Sequence, residues 1–261
     1  MFVTAAGRTN EQRIKQAEEL AKRLHCNFVR RNKKSISYWT DLLQQDCIVV
    51  GEERLELHAK NGESPFFFHP NSASFRIKRM IRGESDPFLE ATKLEKGMSI
   101  LDCTLGMASD SIVASHVVGE SGKVIGLEAN EYVAFLIKEG LAVWNSPIME
   151  MNAAMKRIEV VNTNFKTFLA SMDSNSFDCV YFDPMFEEAV ASSNGIQPLR
   201  KWAEYTSITE EVMFHAKRVA KERIILKAHF RTPLFEQFGF DVIKRPSSKF
   251  HYGVIKIDRQ Y

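Results

Sequence analysis

The stretch "MSILDCTLGMASDSIVASHVVGESGKVIGLE", residues 98–128, decides the fold. An apolar run rich in strand formers lies at 98–102, and an amphipathic run at 109–119 follows it and ends at Gly119. A second apolar run occupies 123–128. Strand, helix and strand in this order are typical of a βαβ unit, in which both strands lie parallel in one sheet. The stretch therefore predicts an α/β protein.

The same alternation continues toward the C-terminus and then changes. Further strand patterns, with helical patterns between them, occur at 157–162, 177–183 and 223–228. The last two strand-like runs, 240–245 and 250–258, are joined only by "PSSK", which is too short for a crossover helix. They are therefore expected to form an antiparallel hairpin. A parallel sheet with this ending is similar to the seven-stranded, Rossmann-like sheet of class I methyltransferases, which we predict for a catalytic domain at residues 91–261.

Residues 1–90 predict a small N-terminal α/β subdomain. Its patterns are strand, helix and strand, and then two more strand-like regions: 1–6, 10–24, 26–30, 47–58 and 65–69. Two basic windows lie in this part of the chain, although the formal net charge of the whole chain is only +2. Such windows are either solvated faces or surfaces that contact phosphates. The second reading makes this subdomain an RNA-docking unit.

The basic windows differ in their position relative to the catalytic domain. The window at 22–34 has six bases and no acid, and the window at 69–83 has four bases, a histidine and no acid. The second window leads directly into the predicted catalytic sheet. Its bases are therefore the predicted RNA contacts: Arg76, Lys78, Arg79 and Arg82.

Several classes of protein are disfavoured by composition. The four cysteines form no C-x-x-C pair and the seven histidines form no metal-binding repeat, so neither a metal site nor a disulfide framework is expected. No apolar run approaches the roughly 20 residues of a membrane span, and the first residues do not form a signal peptide. A cytoplasmic enzyme without a membrane partner is therefore predicted.

The segment after the first strand, "ILDCTLGMASDS" (100–111), is placed to hold a cofactor. Gly106 allows close backbone approach, but the segment is not G-x-G-x-x-G, so a dinucleotide is disfavoured. S-adenosylmethionine carries a sulfonium cation, which carboxylates near the loop would favour. Polar side chains follow the successive strands in the order that this ligand requires: Asp102 and Asp110 at the loop, Glu128 for the ribose hydroxyls and Asn164 for adenine.

The fourth strand ends in "YFDPMF" (181–186), a variant of the [DN]-P-P-[FYW] motif of methyltransferases that act on planar nitrogens. An aryl amine is a poor nucleophile because its lone pair is delocalised into the ring. The Asp183 carboxylate and the Pro184 carbonyl could each accept one N–H and so orient the amine. Phe186 could stack on the base, which is worth roughly 1–3 kcal/mol. The alternative is that Pro184 only ends the strand and Phe186 packs in the core.

These motifs together resemble those of the bacterial 16S ribosomal RNA guanine-N2 methyltransferases of the small-subunit J type. The resemblance covers about residues 50–257 and rests on the following segments: "LELHAK" (55–60), "FRIKRMIRG" (75–83), "DCTLGMASDSI" (102–112), "EANE" (128–131) and "YFDPMF" (181–186). It implies an enzyme that uses S-adenosylmethionine and modifies RNA. It also implies cofactor contacts from Ser109, Asp110, Glu128, Ala129, Asn164, Phe165 and Asp183.

The leading hypothesis is therefore a methyltransferase that acts on a base amine of RNA, most directly guanine N2 during rRNA processing. The target base would have to be unstacked to reach Phe186, and the 184–203 segment would act as a lid. Two alternatives stay open. The same fold and cofactor could serve DNA adenine, a protein or a small molecule, or the chain could be a catalytically silent binding module.

Overall fold

The computed structural model describes residues 1–7, 9–60, 64–184, 202 and 206–258. Within these residues the chain forms two compact units: residues up to His69, together with Trp202, belong to the first, and the other residues from Pro70 onward belong to the second. This division precedes the predicted domain boundary at residue 90. The reason is that two helices at 71–92 pack on elements of the second unit.

The first unit contains a four-stranded sheet of order β2-β1-β3-β4. In chain order its elements are β1 (Phe2–Ala5), α1 (Glu11–Arg23), β2 (Asn27–Phe28), α2 (Ile36–Leu43), β3 (Cys47–Val50) and β4 (Leu55–His58). Strand β1 pairs in parallel with β2 and β3, whereas β4 is antiparallel to β3. The run predicted as a strand at 65–69 contributes only an isolated bridge between Phe66 and Leu57.

The second unit contains a seven-stranded sheet covered by helices. Its helices are α3 (Asn71–Ile81), α4 (Pro87–Thr92), α5 (Ser109–Val118), α6 (Glu131–Val143), α7 (Met149–Lys156), α8 (Phe165–Ser171), α9 (Glu210–Val219) and α10 (Leu234–Phe238). Its strands are β5 (Ser99–Asp102), β6 (Lys123–Glu128), β7 (Ile158–Asn162), β8 (Phe177–Phe182), β9 (Ala220–His229), β10 (Asp241–Ile243) and β11 (Phe250–Lys256).

The order of the large sheet is β10-β11-β9-β8-β5-β6-β7. Strand β11 lies between β9 and β10 and is antiparallel to both. The pairs from β7 to β9 are all parallel. The predicted Rossmann-like sheet with its C-terminal antiparallel hairpin is therefore confirmed. Because the central strands are parallel, their carboxyl ends meet at one edge, where ligands of such sheets bind.

Burial and capping explain why these elements form. Apolar residues of the central strands lie between two helical layers, and Leu101, Val180 and Ile224 are completely buried. Each such side chain stabilises the fold by about 1.5–3 kcal/mol. Helices α6 and α9 begin at Asn130 and Thr209, whose side chains accept hydrogen bonds from the first turn. The capping residues thus fix where these two helices start, shortly before or after the strands of the sheet.

Candidate active site

Asp102 fixes the loop that follows β5. Its side chain is buried and accepts hydrogen bonds from the Thr104 N–H at 3.1 Å and from the Ser111 hydroxyl at 2.7 Å. Burial raises the pKa of Asp102 to about 7. Asp102 was predicted to contact the cofactor, but both of its contacts within the described residues hold the loop and the first turn of α5.

The loop itself approaches β6 very closely. The Leu105 N–H donates to the Leu127 carbonyl at 3.0 Å. A Cβ on Gly126 would lie only 2.3 Å from the Leu105 side chain, so β6 needs a glycine beneath the loop. Gly106 and Ala108 have positive φ angles of 49° and 57°, and α5 begins directly afterwards at Ser109. This turn directs the loop across the strand ends, where a cofactor can approach its backbone.

The end of β6 and the end of β7 are joined by side-chain hydrogen bonds. The Asn162 amide donates to the carbonyls of Glu128 and Ala129 at 2.9 and 3.0 Å. Glu128 is partly exposed, and its carboxylate accepts the Asn130 N–H at 3.0 Å. The Glu128 carboxylate thus lies at the carboxyl end of β6, the position suited to ribose hydroxyls.

Asn164 and Phe165 follow β7 and begin α8. The Asn164 side chain caps this helix by accepting the Lys166 N–H at 2.9 Å and also donates to the Thr206 hydroxyl at 2.7 Å. Phe165 is buried and packs edge-on against Phe182 at 5.6 Å between ring centroids. The adenine contact predicted for Asn164 and the cofactor contact predicted for Phe165 stay predictions, and the Phe165 ring belongs to the core.

Asp183 follows β8 and lies beside Lys227 of β9. The parallel register pairs Phe182 with Leu226, so the next residues of the two strands are also neighbours. The Lys227 ammonium lies 2.6 Å from the Asp183 carboxylate, and the Asp183 N–H donates to the Thr104 hydroxyl at 2.6 Å. Pro184 is partly exposed. Phe186 and all but Pro184 and Trp202 of the proposed 184–203 lid lie outside the described residues.

A mostly buried ion network lies behind Asp183 and is centred on Asp110. The Asp110 carboxylate lies 2.5 Å from Arg76 and 3.3 Å from Lys227, and it accepts the Tyr181 hydroxyl at 2.8 Å. Both Asp86 oxygens accept hydrogen bonds from Arg76 at 2.8 Å. A bidentate arginine pair of this kind holds its partners in one orientation.

The network sets the charge states of its members. Burial alone would raise the pKa of Asp110, but Lys227 and Arg76 hold it below its usual range. Burial raises the pKa of Asp183 against the opposing effect of Lys227. With all groups ionised, the three carboxylates of Asp86, Asp110 and Asp183 exceed the two cations by one charge. A negative balance at this edge fits a ligand that carries a sulfonium cation.

The predicted RNA contacts on α3 and at its C-terminal end separate into two sets. Arg76 has only 17% of its side chain exposed and is committed to Asp86 and Asp110. These two pairs disfavour an RNA contact from Arg76, which stays a prediction. Lys78 and Arg82 are exposed, and Arg79 is 41% exposed while paired with Glu84 at 2.6 Å.

Lys227, Tyr181 and Asp86 are site residues that the sequence reasoning did not identify. Lys227 and Tyr181 lie inside apolar strand patterns, and no role in the site was predicted for either of them. A lysine within "RIILKAH" is a usable signal, because a charged residue in a buried strand requires a partner of opposite charge. Asp86 carries a weaker signal, since an aspartate before proline commonly caps a helix, as it does in α4.

Two further searches cover only the residues that the structure describes. They contain no group of three or more potential metal ligands. None of their helices has the length and apolar character that a membrane crossing requires.

The sheet order, the cofactor loop and the aspartate-proline end of β8 define a class I methyltransferase that uses S-adenosylmethionine. Residues 33–248 match the family described as "Putative SAM-dependent methyltransferase", and the chain belongs to this family.

Two relatives and one solved structure are similar to this chain. The chain is 46% identical over 255 residues to uncharacterized protein YpiP of Bacillus subtilis, covering 98% of this chain and 99% of that one. It is 24% identical over 209 residues to ribosomal RNA small subunit methyltransferase J of Francisella tularensis subsp. novicida, covering 79% and 83%. The crystal structure of the SAM-dependent methyltransferase NGO1261 of Neisseria gonorrhoeae matches with a TM-score of 0.60 at 15% identity, covering 98% and 96%. That match supports the fold.

Proposed function

We propose that this methyltransferase modifies an exocyclic base amine of RNA, most directly guanine N2 of small-subunit ribosomal RNA. The observation that carries the proposal is the aspartate-proline end of β8, held beside the cofactor loop by the Asp183–Thr104 hydrogen bond of 2.6 Å. The distant relationship to the J-type ribosomal RNA enzyme supports this choice of substrate.

Asp183 and Pro184 orient the amine in this proposal. S-adenosylmethionine supplies an electrophilic methyl group when it is bound. The Asp183 carboxylate accepts one amine N–H and the Pro184 carbonyl accepts the other, which directs the nitrogen lone pair away from both acceptors. After transfer the nitrogen releases a proton, to Asp183 or to water, and no stronger base is required.

Lys227 positions Asp183. Its ammonium donates a hydrogen bond of 2.6 Å to Oδ2 of Asp183, which leaves Oδ1 outside this ion pair. The positive charge also opposes the effect of burial and favours the ionised carboxylate. An ionised carboxylate accepts an amine hydrogen bond more strongly than a neutral acid.

The decisive experiment is mass spectrometry of ribosomal RNA nucleosides from a deletion strain and from the same strain complemented in trans. Loss of N2-methylguanosine from small-subunit RNA, restored by wild-type protein but not by Asp183→Ala, is the expected result. An unchanged nucleoside profile would contradict an RNA substrate. The alternatives of DNA adenine, a protein or a small molecule would then be tested with the purified enzyme, because only nucleic-acid binding weakens steeply with salt.

A further inference from the structure

We propose that the aromatic and basic surface at the end of β9 holds a single-stranded RNA segment next to the target base. This surface consists of His229, Phe230, Arg231, Lys249 and His251. This proposal rests on the proposed RNA substrate. It adds a binding region that is separate from the basic window at residues 69–83 and from the aspartate-proline motif.

Phe230 is the centre of this surface. Its side chain is 46% exposed although it is a large apolar group. The His229 ring lies 4.7 Å from it and the His251 ring 6.0 Å, both between centroids and both tilted. The Arg231 guanidinium lies 5.1 Å from the centre of the Phe230 ring. An exposed ring flanked by imidazoles and a guanidinium is the arrangement on which nucleobases stack.

The backbone holds this aromatic group in place. The Phe230 N–H donates to the Lys249 carbonyl at 2.9 Å, which ties the end of β9 to the start of β11. The Nδ1 atoms of His229 and His251 accept the N–H groups of Arg231 and Arg245 at 3.3 Å. Each neutral imidazole then carries its proton on Nε2 and can donate it to a phosphate or a base.

The charge around these rings favours a polyanion. Residues 223–235 contain three Lys and Arg residues and no acid, but one of the three is Lys227, which is paired with Asp183 and Asp110. Residues 242–257 contain four and no acid. Lys249 and Arg231 are exposed. Stacking rings combined with exposed cations are typical of surfaces that bind single-stranded nucleic acid.

The position of the surface links it to catalysis. Lys227, which contacts Asp183, lies in β9 and precedes Phe230, the residue directly after that strand, by three residues. At about 3.3 Å per residue the two are separated by roughly 10 Å along the chain. A base bound at Asp183 would therefore have a neighbouring nucleotide within reach of Phe230.

The test measures binding of a fluorescein-labelled single-stranded RNA of about 12 nucleotides, within the usual site sizes of such surfaces, by fluorescence anisotropy. Phe230→Ala is expected to weaken binding by about 5- to 150-fold. Phe230→Trp keeps an aromatic ring at this position and is expected to bind RNA with an affinity close to that of the wild type. Arg231→Gln is expected to reduce the salt slope by about 1.

Phe214→Ala is the matched control. Phe214 is 65% exposed and also pairs with a histidine, His215, at 5.3 Å, but its helix begins with Glu210 and Glu211. Its removal is expected to leave RNA affinity unchanged. Equal losses in the two alanine variants, or none in Phe230→Ala, would overturn the proposed surface. Competition by polyglutamate as effective as that by RNA would also overturn it, because charge alone would then explain binding.

Calorimetric titration with S-adenosylhomocysteine separates this proposal from the proposed function. Normal cofactor binding in all variants, together with RNA methylation that does not depend on Phe230, would reject the surface and keep the RNA substrate. Cofactor binding by wild-type protein that does not bind single-stranded RNA would reject both the surface and the RNA substrate, and leave the methyltransferase assignment intact.

Discussion

The two halves of the strand edge in the large sheet are built from different interactions. At the ends of β5, β6 and β7, hydrogen bonds and close packing shape the cofactor loop, as at Leu105 on Gly126, and Asp110 in the first turn of α5 joins the ion network. At the ends of β8 and β9, charged groups are held against one another, as at Lys227 and Asp183. Close packing therefore determines most of the structure of the cofactor half, whereas ion pairs determine the structure of the acceptor half. Substitutions should therefore affect the two halves in different ways.

The largest expected effect is on the acceptor half. Asp183→Ala should lower kcat on the order of 10³-fold, because it removes a group that orients the amine and accepts its proton. Asp183→Asn should retain more activity, since its carbonyl oxygen can still accept an N–H. Single-turnover methylation measures both variants, and S-adenosylhomocysteine titration should show unchanged binding. Equal activity of the alanine variant and wild type would remove Asp183 from the reaction.

The next effect concerns the ion network that supports this half. Arg76→Gln should lower the free energy of unfolding by about 3–5 kcal/mol, because Asp86 and Asp110 would lose a mostly buried partner. Arg79→Gln on the same helix is the control and should change it by less than about 1 kcal/mol, since that ion pair is exposed. Urea denaturation measures both. Similar values would mean that the network does not stabilise the fold.

A smaller effect is expected on the cofactor half. Glu128→Ala should weaken S-adenosylmethionine binding by about 10- to 100-fold, which corresponds to the loss of hydrogen bonds to a charged group. The rate of methyl transfer at saturating cofactor should stay close to that of the wild type. Calorimetry and single-turnover kinetics separate the two quantities. A fall in the saturated rate without a change in affinity would contradict the proposed division of the edge.

The last prediction is a pH dependence of stability from the buried carboxyl beneath the cofactor loop. The pKa of Asp102 is raised from 3.8 to about 7 in the folded protein, so the folded state binds more protons between these values. The contribution of Asp102 to stability is therefore fully present below pH 3.8 and is lost as pH rises to about 7. The slope is at most about 1.4 kcal/mol per pH unit. Urea denaturation of Asp102→Asn should lack this component, and an identical pH profile would refute the raised pKa.

The sequence predicted those features that depend on residues close together in the chain and missed those that depend on distant residues or on short, weak patterns. The strand at Lys123–Glu128 and the helix starting at Ser109 lie where the patterns placed them, because apolar periodicity is a local signal. Helix α2 was missed, since its short run "ISYWTDLL" follows a basic stretch and was not read as periodic. Helix α7 was also missed, since it is short and lacks a side-chain cap.

The sequence alone determined the βαβ alternation, the antiparallel ending and the aspartate-proline motif at a strand end, because each depends on neighbouring residues. Only the tertiary structure decided that Arg76 turns inward and that Lys227 is part of the site. Asp110 is separated by 34 residues from Arg76 and by 117 from Lys227, so their contacts depend on sheet order and helix placement. The sequence does not distinguish a basic residue on a solvated face from one in a buried ion pair, because only the fold determines which carboxylate lies next to it.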